Sequence, residues 1–599
     1  VSALEGSTPP GGPGDASPTP PARGLAALLW AAFAVKAAIT LWGLDRGFGL
    51  GDEGTFLLSL NDPETTPANF EFYKLLVPLG LRFDVVGARL LRIATELLAG
   101  AALLAGLASF ARARLGLAGA AWVGEWVAFA LLGVGIHVAS RAFSYNDMSN
   151  LCTYAALGAL LTLAARAGGP DERARRAAWA LAAGFATGFQ LFVKFPAFFL
   201  LWALLWLAIA LLLQRLSRRE RAEALLGHAT GMGLALACFA WRNGGVVPLL
   251  AKAQLATRIA PVSGYAPADI LILYLKGEAL SVPNVAAALL SFVAVRAAAR
   301  RWMGASPDAA AALGAGVAVA LLGASAAVLH PFFYHPTLQW LTCFLGFALV
   351  LGVAAAWRRP QPLRGADLAL LLLPLALPVI NLMGSNVPFT LRLPSHALPP
   401  FAVLGVLTLR ARALHGARRL HATLALGGVV VTSALFVQHH VLSPYGLRAP
   451  LYEQREPVAG LDGLRVDVAT RSFLEAAAGL MKAAGFRPGD PVLALDYTPG
   501  LVFYLGGRSP GWPFYMFDRP ALNCFILERA ALERVPWVVV SGPISPEQSA
   551  CVRAFDLPGD LREIGTLRFP YEAVYEGFDA GSRTHVTFLA PRPGARVRR

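Results

Sequence analysis

Two adjacent carboxylates, Asp52 and Glu53, stand in the segment Leu44-Asp-Arg-Gly-Phe-Gly-Leu-Gly-Asp-Glu-Gly54. Glycines on either side let the backbone bend back on itself, and a carboxylate held there can take the proton of an incoming hydroxyl. Read alone, the same dipeptide is an ordinary solvated acidic turn. Further on, Phe70-Glu-Phe-Tyr73-Lys74 joins aromatic and basic side chains suited to a lipid headgroup layer. Lys74 there is either a snorkelling anchor or a holder of a lipid phosphate. Asp147 ends the stretch Ser140-Arg141-Ala-Phe-Ser144-Tyr145-Asn146-Asp147, where it suits the N-cap of a helix beginning near Met148. Lys194 closes Gly184-Phe-Ala-Thr-Gly-Phe-Gln-Leu-Phe-Val-Lys194. An ammonium facing lipid costs roughly 3 kcal/mol, so Lys194 is expected to face a polar cavity or to snorkel. Arg242 ends another apolar run, and His330 and His335 lie in His-Pro-Phe-Phe-Tyr-His-Pro. That pair suggests a metal by residue type, but no acidic partner is near in sequence, which favours an interfacial aromatic belt.

The elements that must position these residues are membrane spans. Of 599 residues, 56% are hydrophobic and only 15% charged, with a mean hydropathy of +0.54. A soluble chain would carry about a quarter charged residues. Apolar runs fall at 24–44, 86–111, 118–138, 148–166, 177–193, 195–213, 226–241, 281–296, 309–329, 337–356, 367–383, 396–409 and 422–441. That gives about thirteen transmembrane helices. The net charge of +15 comes largely from short basic clusters between runs, so it reads as a topology signal and not as a nucleic-acid footprint. Loops such as Arg112–Arg114, Arg215–Arg221, Arg296–Arg301 and Arg410–Arg419 are basic. They alternate with loops holding Asp52-Glu53, Ser144–Asp147, Arg242–Val282, His330–Pro336 and Gly384–His396. The positive-inside rule makes the basic set and the N-terminus cytoplasmic. An odd number of spans then puts the C-terminal segment outside. The Arg- and Ala-rich bias suggests a bacterial inner membrane with a periplasm.

Residues 1–23 are rich in Pro, Gly, Ser and Thr and read as a disordered cytoplasmic tail, not as a cleavable signal peptide. A first residue of Val and not Met suggests processing or an unusual start codon. Residues 24–444 read as the multi-span domain. Residues 445–599 change character, with dispersed charge and turn dipeptides. Arg471–Ala484 has helical spacing, while Val492–Asp496, Trp537–Ser541 and Thr584–Leu589 read as strands. A periplasmic α/β domain is predicted. Its Cys524 and Cys551 are candidates for a disulfide in an oxidising compartment, or for two thiols that never meet.

Taken together, a first span, an outer loop opening with Asp52-Glu53 and a later Tyr73-Lys74 resemble the GT-C class of integral-membrane glycosyltransferases. The likeness is to the branch of protein O-mannosyltransferases and aminoarabinose transferases, and it spans 24–440. It implies a GT-C-like helical membrane fold and a polyprenyl-phosphate sugar donor. It further implies an envelope lipid, glycan or protein as acceptor, in a setting of membrane lipids. The class carries a second acidic residue where Asp147 stands, and a lysine-ended helix like Gly184–Lys194. It also has a late outer loop similar to Gly384-Ser-Asn386-Val-Pro-Phe and Arg392-Leu-Pro-Ser-His396. By that resemblance Asp52, Glu53 and Asp147 are catalytic candidates, and Lys74, Lys194, Arg242 and Arg392 are candidates for the donor phosphate. Tyr73, Arg141, Tyr145 and His396 are candidates for other substrate contacts. The class often follows its lysine with Pro-Pro, whereas Leu75-Leu76 follow Lys74 here. No cofactor or metal ligand set is called for, although a divalent metal is left open. The implied reaction is a single inverting displacement at the anomeric carbon.

The rival class is a polytopic transporter or lipid flippase. Such proteins show internal repeats and paired Gly/Pro-broken helices, and none is evident. A non-catalytic relative is the third reading, against which the retained carboxylates argue.

Overall fold

The computed structural model describes residues 23–598 apart from 64–67, 77–82, 118–120, 136–140, 166–172, 214–215, 263–270, 276–278, 280, 329–335, 358–362, 364, 386–388, 496–497, 514–519, 529, 531, 541–558 and 571–584. The chain is a multi-pass α-helical membrane protein with a C-terminal region built around sheet. In chain order the first elements are α1 (Arg23–Trp42), α2 (Asp52–Asn61), α3 (Val85–Arg114), α4 (Ala121–Leu131) and α5 (Tyr145–Ala165). They are followed by α6 (Arg173–Gln190), α7 (Phe195–Leu213), α8 (Arg218–Arg242) and α9 (Val246–Val262). Every one of the thirteen apolar runs contains helix. Among the described residues, however, nine helices are long and apolar enough to cross a membrane, or ten if the bent pair Phe389–His396 and Leu398–His415 counts as one. The other runs give shorter apolar helices at Trp122–Leu131 and Phe195–Ala208, and α6, whose first turn carries Arg173, Arg175 and Arg176.

Small residues let the helices approach closely, as packing in lipid requires. A Cβ on Gly106 of α3 would collide with the backbone of Gly158 of α5, so these helices touch main chain to main chain. The 68° bend between Phe389–His396 and Leu398–His415 falls where Pro394, Pro399 and Pro400 interrupt the backbone hydrogen-bond ladder. That bend brings Arg392 and His396 back towards α5.

The C-terminal region has a two-stranded ladder, β1 (Glu456–Pro457) and β2 (Arg465–Val466), and a sheet of order β3-β4-β6-β5. Its strands are β3 (Val492–Ala494), β4 (Trp537–Val540), β5 (Leu561–Arg568) and β6 (His585–Pro591). β3 and β4 run parallel, and β6 is antiparallel to both of its neighbours. The helix Val468–Ala483 is N-capped by the Asp467 carboxylate, which accepts from the N–H groups of Ala469 and Thr470. The three strands predicted from sequence are present. β5 was missed because this edge strand, Leu-Arg-Glu-Ile-Gly-Thr-Leu-Arg, exposes most of its side chains and shows no clean alternation.

This region does not stand apart from the membrane domain. One buried apolar cluster runs from Phe48, Leu50 and Phe56 beside α2 to Val466, Phe473, Leu501 and Val502 in the C-terminal region. Cys524 is disulfide-bonded, and Cys551 lies outside the described residues. His330, His335 and residues 1–22 also lie outside them.

Candidate active site

The two neighbouring carboxylates have separate surroundings. Glu53 is 4% exposed and fully engaged: Arg89 of α3 donates to its Oε1 at 2.8 Å and to its Oε2 at 3.0 Å, and the Gly49 N–H adds a bond of 2.8 Å. Arg89 also donates to the carbonyls of Leu44, Arg46 and Gly47, and Arg141 donates to those of Gly43 and Arg46. Burial alone would raise the Glu53 carboxyl, but Arg89, Arg141 and the Gly49 N–H together hold it below its ordinary value. Glu53, Arg89 and Arg141 therefore brace the loop Gly43–Gly51.

Asp52 opens α2 and is only partly buried. Its Oδ2 accepts a bond of 2.6 Å from the Tyr445 hydroxyl. Burial pushes its carboxyl above the ordinary value, and the Tyr445 bond and the charge of Arg392 oppose that without cancelling it. A carboxylate shifted upward is a better proton acceptor near neutral pH.

Lys194 follows α6 and is 4% exposed. Its Nζ donates to the Asn381 carbonyl, to Ser385 Oγ at 3.1 Å and to Asn146 Oδ1 at 3.4 Å, and it lies 5.5 Å from the centre of the Tyr145 ring. All three hydrogen-bond partners are neutral. Arg392 acts electrostatically on Lys194, Asp52, Tyr145 and Tyr274, so each of the four lies within reach of its charge. Among the described residues Arg392 makes no salt bridge. Tyr274 donates to the carbonyls of Leu382 at 2.9 Å and Ser385 at 2.8 Å, fixing the turn that carries two of the Lys194 acceptors.

A buried polar chain stands behind Lys194. Gln190 donates to Ser149, Ser149 to Asn381 Oδ1, and Asn381 Nδ2 to Asn150 Oδ1, which also meets His396 Nδ1 at 2.7 Å. His396 is thus tied into the bundle at 3% exposure. Asp147 is 5% exposed, accepts from the N–H and hydroxyl of Ser144 at 2.7 Å each, and pairs with Arg92 at 3.5 Å. Tyr73, wholly buried, lies edge-on to Phe143 and near Asp147 and Tyr145, against the same loop.

The four cations expected around one phosphate fall into two groups. Lys194 and Asp52 both lie within reach of Arg392. Lys74 instead lies 3.5 Å from Glu71, which also binds Lys252 at 2.9 Å, and Arg242 donates to the Lys74 carbonyl at 3.3 Å. Among the described residues no group of three or more His, Cys, Asp or Glu side chains is placed to hold a metal ion.

No protein-family model matches the chain, and no curated protein does. Solved structures do. An oligosaccharyltransferase of Archaeoglobus fulgidus, in complex with zinc and sulfate, is similar over 85% of this chain and 67% of its own, at 13% identity and a TM-score of 0.44. AglB of the same organism, with an inhibitory peptide and a dolichol-phosphate, is similar over 86% and 69%, at 15% identity and a TM-score of 0.44. ArnT of Cupriavidus metallidurans, bound to undecaprenyl phosphate, is similar over 95% and 98%, at 13% identity and a TM-score of 0.37. At that level of similarity the site's own residues must carry the functional reading.

Sequence reasoning missed Arg89, Tyr274, Asn381, Ser385 and Tyr445. Arg89 had a signal, since an arginine within the apolar run of α3, like Arg92 three residues on, calls for a buried partner. Tyr445 had none, because nothing local links it to a carboxylate 393 positions away.

Proposed function

We propose that the chain is a membrane glycosyltransferase that moves a sugar from a polyprenyl-phosphate donor to an acceptor hydroxyl at the outer face of the bacterial inner membrane. The observation that carries this is the Lys194 ammonium: it is buried against neutral oxygens only, and the nearby charge acting on it is that of Arg392, which also acts on Asp52. A buried cation without a carboxylate is costly, and an anionic ligand offsets that cost. Arg and Lys at the mouth of a helical bundle suit a phosphate whose lipid tail stays in the bilayer.

The acceptor oxygen attacks the anomeric carbon as its proton passes to Asp52, and the bond from that carbon to the phosphate oxygen breaks. The lipid phosphate leaves as an anion that Lys194 and Arg392 stabilise. The leaving group needs no proton, so one carboxylate suffices, and a single displacement inverts the sugar. Glu53 serves by fixing the loop, and Asp147, with Arg92, by fixing the start of α5. Tyr145 lies near Lys194, Arg392 and Asp52. This reading leaves Lys74, paired with Glu71, and Arg242, which donates to the Lys74 carbonyl, away from the reacting phosphate.

The test is sugar transfer from radiolabelled polyprenyl-phosphate donors in membranes, native protein against Asp52→Asn. A fall of about 10²–10⁴-fold with expression and folding intact supports the reading. Equal transfer by both removes Asp52 as the base, and no transfer with any donor favours a transporter.

A further inference from the structure

Four contacts in antiparallel order join the segment after the last span to the loop that carries Asp52. Leu451 lies over Gly43, Leu447 over Gly47, Gly446 against Gly49, and Tyr445 reaches Asp52. A Cβ on Gly43 would come within 2.7 Å of Leu451, and one on Gly47 would collide with Leu447. The glycines of Leu44–Gly54 thus make room for a second strand of chain. Two other parts of the C-terminal region bond to the same loop. The Gly47 N–H donates to the Arg465 carbonyl and the Arg465 N–H to the Asp45 carbonyl, each at 2.7 Å. The Gly500 N–H donates to the Leu50 carbonyl at 2.7 Å, and Gly54 and Gly500 are in backbone contact.

We infer that Tyr445 is a positioning residue for Asp52, and that the C-terminal region acts in transfer by docking the Ser443–Leu451 segment along the Asp52 loop. This rests on the transferase reading above. Tyr445 is the hydrogen-bond donor to the Asp52 carboxylate among the described residues. At 2.6 Å the bond lies in the range of a charge-assisted O–H···O⁻ contact, so it fixes the carboxylate rotamer and engages Oδ2. The other oxygen, Oδ1, is left to meet the acceptor hydroxyl. The titratable and charged groups that act on this carboxylate besides Tyr445 are Arg392 from the bent helix and Tyr145 at the start of α5, while its chain neighbour Glu53 is paired with Arg89.

The sign of the pH effect follows. Tyr445 favours the ionised carboxylate, so its loss raises the pKa at which Asp52 becomes competent. In Tyr445→Phe the acid limb of kcat/KM is expected to move up by about one pH unit. Donor KM should hold, and the exposed Tyr452→Phe control should leave the limb in place. A second measurement does not depend on activity: thermal unfolding of the full chain in detergent as Asp52→Ala, Tyr445→Phe and both together. Non-additive losses are expected for residues in direct contact. An unmoved limb, or a limb moved equally by Tyr452→Phe, overturns the positioning role, and additive losses overturn the contact itself. If the native protein transfers from no donor, the transferase reading fails while the unfolding cycle still judges the docked segment.

Discussion

Two charged clusters at opposite ends of the bundle solve the cost of burial in different ways. At the end of α3 that lies away from Asp52, Glu125 of α4 is 1% exposed and is closed on all sides by opposite or hydrogen-bonding charge. Arg412 donates to both of its oxygens at 2.9 and 3.0 Å, and His421 meets it at 2.7 Å while reaching Thr408 with its other nitrogen. At the Asp52 end, Lys194 is nearly as buried yet meets only neutral oxygens, and Arg392 stands beside it without a carboxylate of its own. A closed cluster holds helices together and has nothing left to offer a ligand. A buried ammonium that meets only neutral oxygens is a poor way to hold helices together and a good way to hold an anion.

The comparison breaks most visibly at Glu125. Glu125→Ala leaves Arg412 and His421 buried against each other and should cost about 3–5 kcal/mol of stability, read by thermal unfolding in detergent. Transfer per folded molecule should change little. Lys194→Met should show the opposite pattern. Removing a cation with no carboxylate partner should leave unfolding unchanged or later, while transfer falls by about 10²–10³-fold. If Lys194→Met unfolds as early as Glu125→Ala, the Asp52 end is also structural and the distinction fails.

The smallest effect sharpens the Asp52 end. Arg392 lowers the Asp52 carboxyl against the upward push of burial. The deprotonated form is the competent base, so transfer is retained above that pKa and lost as pH falls through it. In Arg392→Gln the carboxyl rises further and the acid limb should begin at a higher pH than in native protein. Residual transfer measured across pH on a donor held at saturation checks this, and a downward move of the limb would contradict the geometry.

Much of this was legible in the residues. The apolar runs fixed where helices stand because hydrocarbon leaves the backbone few alternatives. Lys194 drew notice because charge at the end of an apolar run needs a reason, Asp52 as one of two adjacent carboxylates between glycines, and Arg392 only through the resemblance to the GT-C class. What stayed hidden was the partition among charges of the same type. Asp52 and Glu53 are adjacent and chemically alike, yet a helix advances about 100° per residue, so the two side chains leave α2 in different directions. Glu53 meets Arg89, and Asp52 meets Tyr445. Likewise Lys74 and Lys194 looked equivalent until Glu71 claimed the first.

The sequence by itself determined a multi-pass helical chain, a sheet-bearing C-terminal region and a short roster of ionisable residues, since hydropathy and charge are local properties. Only the tertiary structure decided which of those charges are neutralised. It also decided that the C-terminal region packs into the same core as the Asp52 loop, and that the loop's glycines receive the Ser443–Leu451 segment. Such pairings join residues hundreds of positions apart, so no window along the chain contains them. They arise when helices and strands already formed bury their remaining apolar faces together.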